Sequence, residues 1–200
     1  MRNRTDKIIS RAISFFESKK YSYIEVPWIV SSSTITITQP ASFPDILDDR
    51  SFVASGEQSF LQLIIDGKLK YGKYCCVTPC YRPLDNLNDG LHFETFSKVE
   101  LINYINETSL SDDGSDHLQS LVDNITKDAK KFMERERHET LQIVSTTDEE
   151  RRFCKTYFSR DIISKKFSIE LGSYGYRTCA EVGSWVFGTG VAVPRITYKG

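Results

Sequence analysis

The sequence predicts an α+β fold in which an antiparallel sheet is flanked by helices. Three observations lead there. Runs with a period of two residues cluster as hairpins, whereas runs with helical period come in separate blocks. The regular β-α-β alternation of a doubly wound parallel sheet is missing. The chain has 200 residues, of which 40% are hydrophobic and 26% charged. That suits a single domain spanning residues 1–200 with a complete core.

The first element is a helix from about Thr5 to Glu17. Ile8, Ile9, Ala12, Ile13 and Phe16 fall on one face, Thr5 stands at the N-cap, and Lys19 and Lys20 follow the end. A strand over Tyr21–Val30 alternates Ile24, Val26, Trp28 and Val30 onto one side, and Pro27 confines it to an edge or a bulge. Residues 31–56 read as an irregular connection with a short strand near Ile35–Ile37. Glu57–Asp66 reads as a helix stopped by Gly67. Two strands follow, Lys73–Tyr81 and Phe93–Asn103, joined by a loop over 82–90 into a long hairpin. A polar turn over Ser109–Ser115 leads into a helix over Asp116–Arg137, with Leu118, Leu121, Val122, Ile125, Ala129 and Phe132 on one stripe. Leu141–Ser145 reads as a strand, and Thr146 or Thr147 as the cap of a short helix through Phe158. Strands near Phe167–Gly172 and Arg177–Ser184 then lead into 185–195.

The net charge of −1 gives no sign of a strongly basic nucleic-acid binder. The mixed charges of Lys127–Arg137 suit a solvated helix face better than an RNA-binding surface. No apolar run reaches the roughly 20 residues that span a bilayer, and the charged N-terminus makes a poor signal peptide. The cysteines, Cys75, Cys76, Cys80, Cys154 and Cys179, are odd in number and unevenly spaced, which points to reduced thiols and a cytoplasmic location. Cys75, Cys76 and Cys80 lack the paired second half of a zinc site and read as a buried strand. Without a secretory signal, the glycosylation patterns at Asn106 and Asn124 carry no weight.

The hairpin holds the most chemistry. Arg82 ends its first strand, and His92, Phe96, Lys98 and Glu100 share one face of the second. A guanidinium grips phosphate in bidentate fashion, an aromatic face stacks on a purine, and a carboxylate can hold Mg²⁺ beside phosphates. The bland alternative is a solvated sheet face.

Three segments resemble, in order, the signature motifs of class II aminoacyl-tRNA synthetases. The first helix followed by Lys20–Pro27 resembles motif 1, which in that family builds a dimer interface. Cys80-Tyr81-Arg82, the loop, then His92-Phe93-Glu94-Thr95-Phe96 and Glu100 resemble motif 2. Gly188–Arg195 resembles motif 3, a glycine-rich strand ending in arginine. The resemblance implies ATP held bent on an antiparallel sheet, with Mg²⁺. Arg82 would hold the α-phosphate and the substrate carboxylate. Phe96 would stack on adenine, Arg195 would cover its other face and reach the γ-phosphate, and His92 would approach the outer phosphates. Glu57 would meet the substrate amino group, Glu181 would serve the substrate or the metal, and Glu100 the metal.

The implied reaction is attack of a carboxylate on the α-phosphorus of ATP, giving an acyl-adenylate for transfer to tRNA or to another acceptor such as a carrier protein. A homodimer through helix 5–18 and strand 21–30 is implied as well. Three positions depart from the pattern. Leu84 stands where the family carries an acid, with Asp85 next to it. Ala192 replaces the third glycine. The sequence also ends five residues after Arg195, leaving no room for an anticodon-binding domain. The competing reading is a non-catalytic, synthetase-like regulatory subunit.

Overall fold

The computed structural model describes residues 2–38, 46, 48–83, 91–106, 114–146 and 155–199. Leu84, Asp85 and Cys154 lie outside them. Helix α1 covers Arg2–Glu17, strand β1 Ser22–Tyr23, β2 Ile29–Ser31, α2 Ser32–Thr38, β3 Arg50–Phe52 and α3 Gly56–Ile65. The long hairpin is β4 (Gly72–Tyr81) and β5 (Thr95–Ile105). Next come α4 (Gly114–Arg137), β6 (Gln142–Thr146), β7 (Lys155–Ser164), β8 (Ile169–Cys179), β9 (Gly183–Ala192) and α5 (Val193–Thr197).

Among the described residues the main sheet has seven strands in the order β1-β4-β5-β9-β8-β7-β6. Strand β1 runs parallel to β4, and the other pairs are antiparallel. One face is covered by α1 and α4. Their apolar stripes, including Ile8, Ala12, Phe16, Val122, Ile125 and Phe132, pack on Val99, Leu101, Tyr174, Val186 and Val191. The opposite face meets α3, whose Phe60, Leu61 and Ile64 pack on Cys76, Ile102, Trp185 and Phe187. The expected α+β architecture is therefore present. No helix is long and apolar enough to cross a membrane among the described residues.

Five local expectations change. In place of the strands expected near Phe167–Gly172 and Arg177–Ser184, one strand, β8, runs through Ile169–Cys179, and a turn over 180–182 precedes β9. The strand expected over Tyr21–Val30 splits, because the chain leaves the main sheet before Pro27 and β2 joins β3 in a separate two-stranded sheet. Thr5 lies inside α1 rather than capping it. The strand expected near Ile35–Ile37 is helical. Its Thr/Ile alternation mimics a strand, but the buried set Thr34, Ile35, Ile37 and Thr38 has helical spacing. Gln62 Oε1 accepts from Thr34 Oγ1 at 3.0 Å, and Gln58 Nε2 donates to Thr38 Oγ1 at 3.3 Å, tying α2 to α3. Finally, residues 155–158 of the expected short helix belong to β7, which pairs along β8, and Thr146 lies in β6. Residues 147–154 of that helix, and most of the polar turn before α4, lie outside the described residues.

Adjacent Cys75 and Cys76 point to opposite faces of β4, one into each core, so the three neighbouring cysteines do not converge on a metal. Burial pushes the Cys75 thiol up to about 12 and raises Cys76, Cys80 and Cys179 as well. A thiol that stays neutral when folded but ionises when unfolded costs stability once the pH passes the unfolded value. The thiols' contribution should therefore be flat below about pH 9, and stability should fall between there and pH 12. Urea titrations across that range check the slope. Pseudo-plateau stability up to pH 12 would contradict it.

The glycines of the last strand serve packing. A Cβ on Gly188 would stand 2.5 Å from Tyr174 Cδ1 and 3.0 Å from Ile125 Cδ1. Tyr174 cannot retreat, because it is fully buried and its hydroxyl donates to Thr189 O at 2.6 Å. Gly188→Ala should destabilise the fold by roughly 1–3 kcal/mol through overpacking. Thermal unfolding measures this directly, and an unchanged midpoint would contradict the contact.

Candidate active site

The face opposite α1 and α4 carries the polar groups. Alternation along β5 puts Val99 and Leu101 into the helix-covered core and turns Phe96, Lys98 and Glu100 the other way. In β9 an irregularity between the pairs Val99↔Val191 and Glu100↔Thr189 accommodates Gly190, so that Thr189 and Ala192 both reach this face.

Arg82 follows β4, and its backbone N–H continues the hairpin by donating to Glu94 O at 2.8 Å. Its Nε donates to Ala54 O at 3.0 Å, and its guanidinium lies 5.5 Å from the Phe96 ring centroid. Pro194 lies at the start of α5, and the next residue is Arg195. Arg195 Nη1 donates to Glu170 Oε1 at 2.8 Å, and Nη2 lies 3.2 Å from His92 Nε2.

A cavity lies among these groups. Arg82, His92, Phe96 and Arg195 all contribute to its wall, together with Lys98 and Thr189. With Leu171 and Gly172 of β8 also in the wall, four separate segments of the chain converge on one space. His92 arrives by a different route from the one expected: β5 begins at Thr95, so the segment before the strand places it, not strand alternation.

A second cavity shares Arg82, Lys98 and Thr189 with the first. It holds Glu57 and Glu100. Ser55 caps α3, with its Oγ accepting from Glu57 N at 3.2 Å and donating to Glu100 Oε1 at 2.6 Å. Gly56 makes this approach possible, since a Cβ there would stand 2.9 Å from Glu100 Cγ and 2.8 Å from Cys76 Sγ. Glu57 is only 8% exposed, and both of its oxygens are engaged. Arg177 Nη1 donates to Oε1 at 2.7 Å and to Oε2 at 2.6 Å, while Trp185 Nε1 donates to Oε1 at 2.8 Å. The Arg177 guanidinium also stacks 3.8 Å from the centroid of Phe187.

Two expectations about the acids need correction. Glu181 sits exposed in the turn between β8 and β9 and lines neither cavity. Glu100 faces the second cavity, but its carboxylate is bound by the Lys98 ammonium. Among the described residues no group of three His, Cys, Asp or Glu side chains is placed to share a metal ion. The acids present do not fit a dedicated Mg²⁺ site, since a cation already neutralises each acid that lines the second cavity. Lys98 was legible in the alternation of β5. Arg177 and Trp185 carried no signal, because they meet Glu57 only across 120 and 128 residues of chain.

Neither protein-family models nor curated proteins match the sequence. Solved structures do match the fold. A pyrrolysyl-tRNA synthetase of Desulfitobacterium hafniense aligns over 95% of this chain and 66% of its own, with a TM-score of 0.68 and 10% identity. Seryl-tRNA synthetase of Pyrococcus horikoshii, complexed with ATP, aligns over 96% of this chain and 49% of its own, with a TM-score of 0.72 and 14% identity. The cytoplasmic serine-tRNA ligase of Naegleria fowleri, in complex with AMP, gives 96%, 47%, 0.70 and 14%. The chain thus spans about half the length of the seryl enzymes and two-thirds of the pyrrolysyl enzyme. It has the catalytic-core fold of the class II aminoacyl-tRNA synthetases.

Proposed function

We propose that this domain binds ATP and activates a small carboxylate, an amino acid foremost, as its adenylate. The observation that carries this reading is the convergence of Arg82, His92, Phe96 and Arg195 on one cavity that shares Arg82, Lys98 and Thr189 with a second. In this reading Phe96 stacks on adenine, and Arg195 covers the other face of the base. Arg82 stands between the cavities and holds both the α-phosphate and the incoming carboxylate. A carboxylate oxygen attacks the α-phosphorus, the bond to the bridging oxygen breaks, and pyrophosphate leaves with that electron pair. The protein supplies position and fixed positive charge, with no nucleophile of its own. The fold's ATP- and AMP-bound neighbours support an adenine nucleotide as ligand.

The second cavity then receives the rest of the acyl substrate. Thr38, Ser55, Gln58, Ser173 and Thr189 give it a neutral polar lining, and both carboxylates are already paired with cations. A small polar side chain matches that lining, whereas a large apolar one would strand buried polar groups. The acceptor of the acyl group is a tRNA or a carrier protein, in the cytoplasm. A second copy docks through α1 and residues 21–30, where Trp28 is 54% exposed. Amino-acid-dependent ATP–pyrophosphate exchange tests the reading. Exchange should be stimulated by small polar amino acids. No exchange and no ATP binding would favour a non-catalytic regulatory subunit, the reading that the cation-paired acids of the second cavity support.

A further inference from the structure

Arg195 is delivered to the cavity by α5, which has only five residues and would be marginal alone. The last carbonyls of any helix lack partners within it. Here they find one in Arg137, the final residue of α4, which lies 58 to 61 positions away in the chain. Its Nη1 donates to the carbonyls of Arg195, Ile196 and Tyr198 at 3.0, 3.2 and 2.9 Å. The side chain of Arg137 is 4% exposed. Its Nε donates to Glu139 Oε2 at 3.0 Å, and Glu139 Oε1 accepts from Ser164 Oγ. His138, with φ at +52°, turns the chain so that Glu139 comes back beside Arg137. The guanidinium also lies 5.1 Å from the Phe167 ring centroid, and Phe167 meets Tyr198 edge-on. The Nη1 donor of this guanidinium is therefore spent on holding α5, and Nε on being held itself.

We propose that Arg137 is a positioning residue for the nucleotide site, fixing α5 so that Arg195 stays over the cavity. The idea rests on the reading of Arg195 as a nucleotide ligand. Arg137 touches neither cavity near Phe96, and so acts on the ligand only through α5.

Two measurements test it. In the nucleotide-free protein, Arg137→Gln should speed amide hydrogen exchange over residues 193–199 by roughly tenfold or more, with β4 and β5 unchanged. ATP affinity is then measured by calorimetry for the wild type, Arg137→Gln, Arg195→Ala and the double variant. Arg137→Gln should weaken ATP roughly tenfold when Arg195 is present and less than about twofold when it is alanine. An equal loss in both backgrounds, or wild-type exchange over 193–199, overturns the proposal while leaving the nucleotide site standing. Wild-type protein that binds no ATP overturns the nucleotide site itself, and the positioning role with it. Where Arg137→Gln does not fold, Arg137→Lys serves. It keeps a charge but not the fork of donors, and wild-type exchange and affinity in that variant count against the clamp.

Discussion

Arg82→Ala should lower ATP affinity by about two orders of magnitude, or roughly 3 kcal/mol, with the fold intact. The size follows from its place. Arg82 lines both cavities, so its loss removes a cation from the nucleotide side and from the carboxylate side at once. Charge-assisted hydrogen bonds to phosphate are among the stronger polar contacts, and they gain further where surrounding groups exclude water. The effect on stability is smaller, because what the fold loses is the bond from Nε to Ala54 O and the stacking on Phe96. Arg82→Lys separates charge from geometry: an ammonium cannot reproduce the bidentate fork, so affinity should stay well below wild type. Arg195→Ala should act in the same direction, with release of His92 and Glu170 as a side effect. Calorimetric titration with ATP checks all three. Wild-type affinity in Arg82→Ala or Arg195→Ala would remove the basis of the site assignment.

The sequence was informative wherever one period governed a whole element. The stripes of α1, α3 and α4 and the alternation of β4 and β5 follow from local spacing alone, and with them the division of β5 into a core face and a polar face. Local spacing misled where tertiary contacts took over. The Ser32–Thr38 segment has the β-branched alternation of a strand but is held as a helix by Gln58 and Gln62. Thr156, Tyr157 and Phe158 are strand-forming residue types, and pairing with β8 makes 155–158 part of β7 rather than the end of a helix. The cavity side chains Arg82, His92, Phe96 and Arg195 were legible because motif order stands in for distant contacts. Glu181 was placed by the same logic and fails, since two residues of turn carry it past the end of the sheet. The groups that hold the site in shape, Arg177 on Glu57 and Arg137 on α5, are pairings across more than fifty residues and have no local signature.

That hidden framework sets the largest expected loss of stability. Glu57→Ala should destabilise the fold by about 3–5 kcal/mol, because it strands the buried Arg177 charge and the Trp185 N–H together. For a chain of this size that is a fall of about 10 °C in Tm. Glu57→Gln keeps an oxygen for one of the two donors and should cost clearly less. The pair of variants also separates two roles for Glu57. If it holds the substrate amino group directly, Glu57→Gln should raise KM for the amino acid while Tm moves little. If its main task is to anchor Arg177, both variants should shift Tm in proportion to the hydrogen bonds lost, and Arg177→Met combined with Glu57→Gln should recover much of the loss by removing the unpaired charge. The existing bonds favour the second role, since Arg177 and Trp185 already engage the carboxylate on both oxygens. Thermal unfolding of the four proteins decides it: a double variant no more stable than Glu57→Ala would show that the buried charge is not what Glu57 compensates.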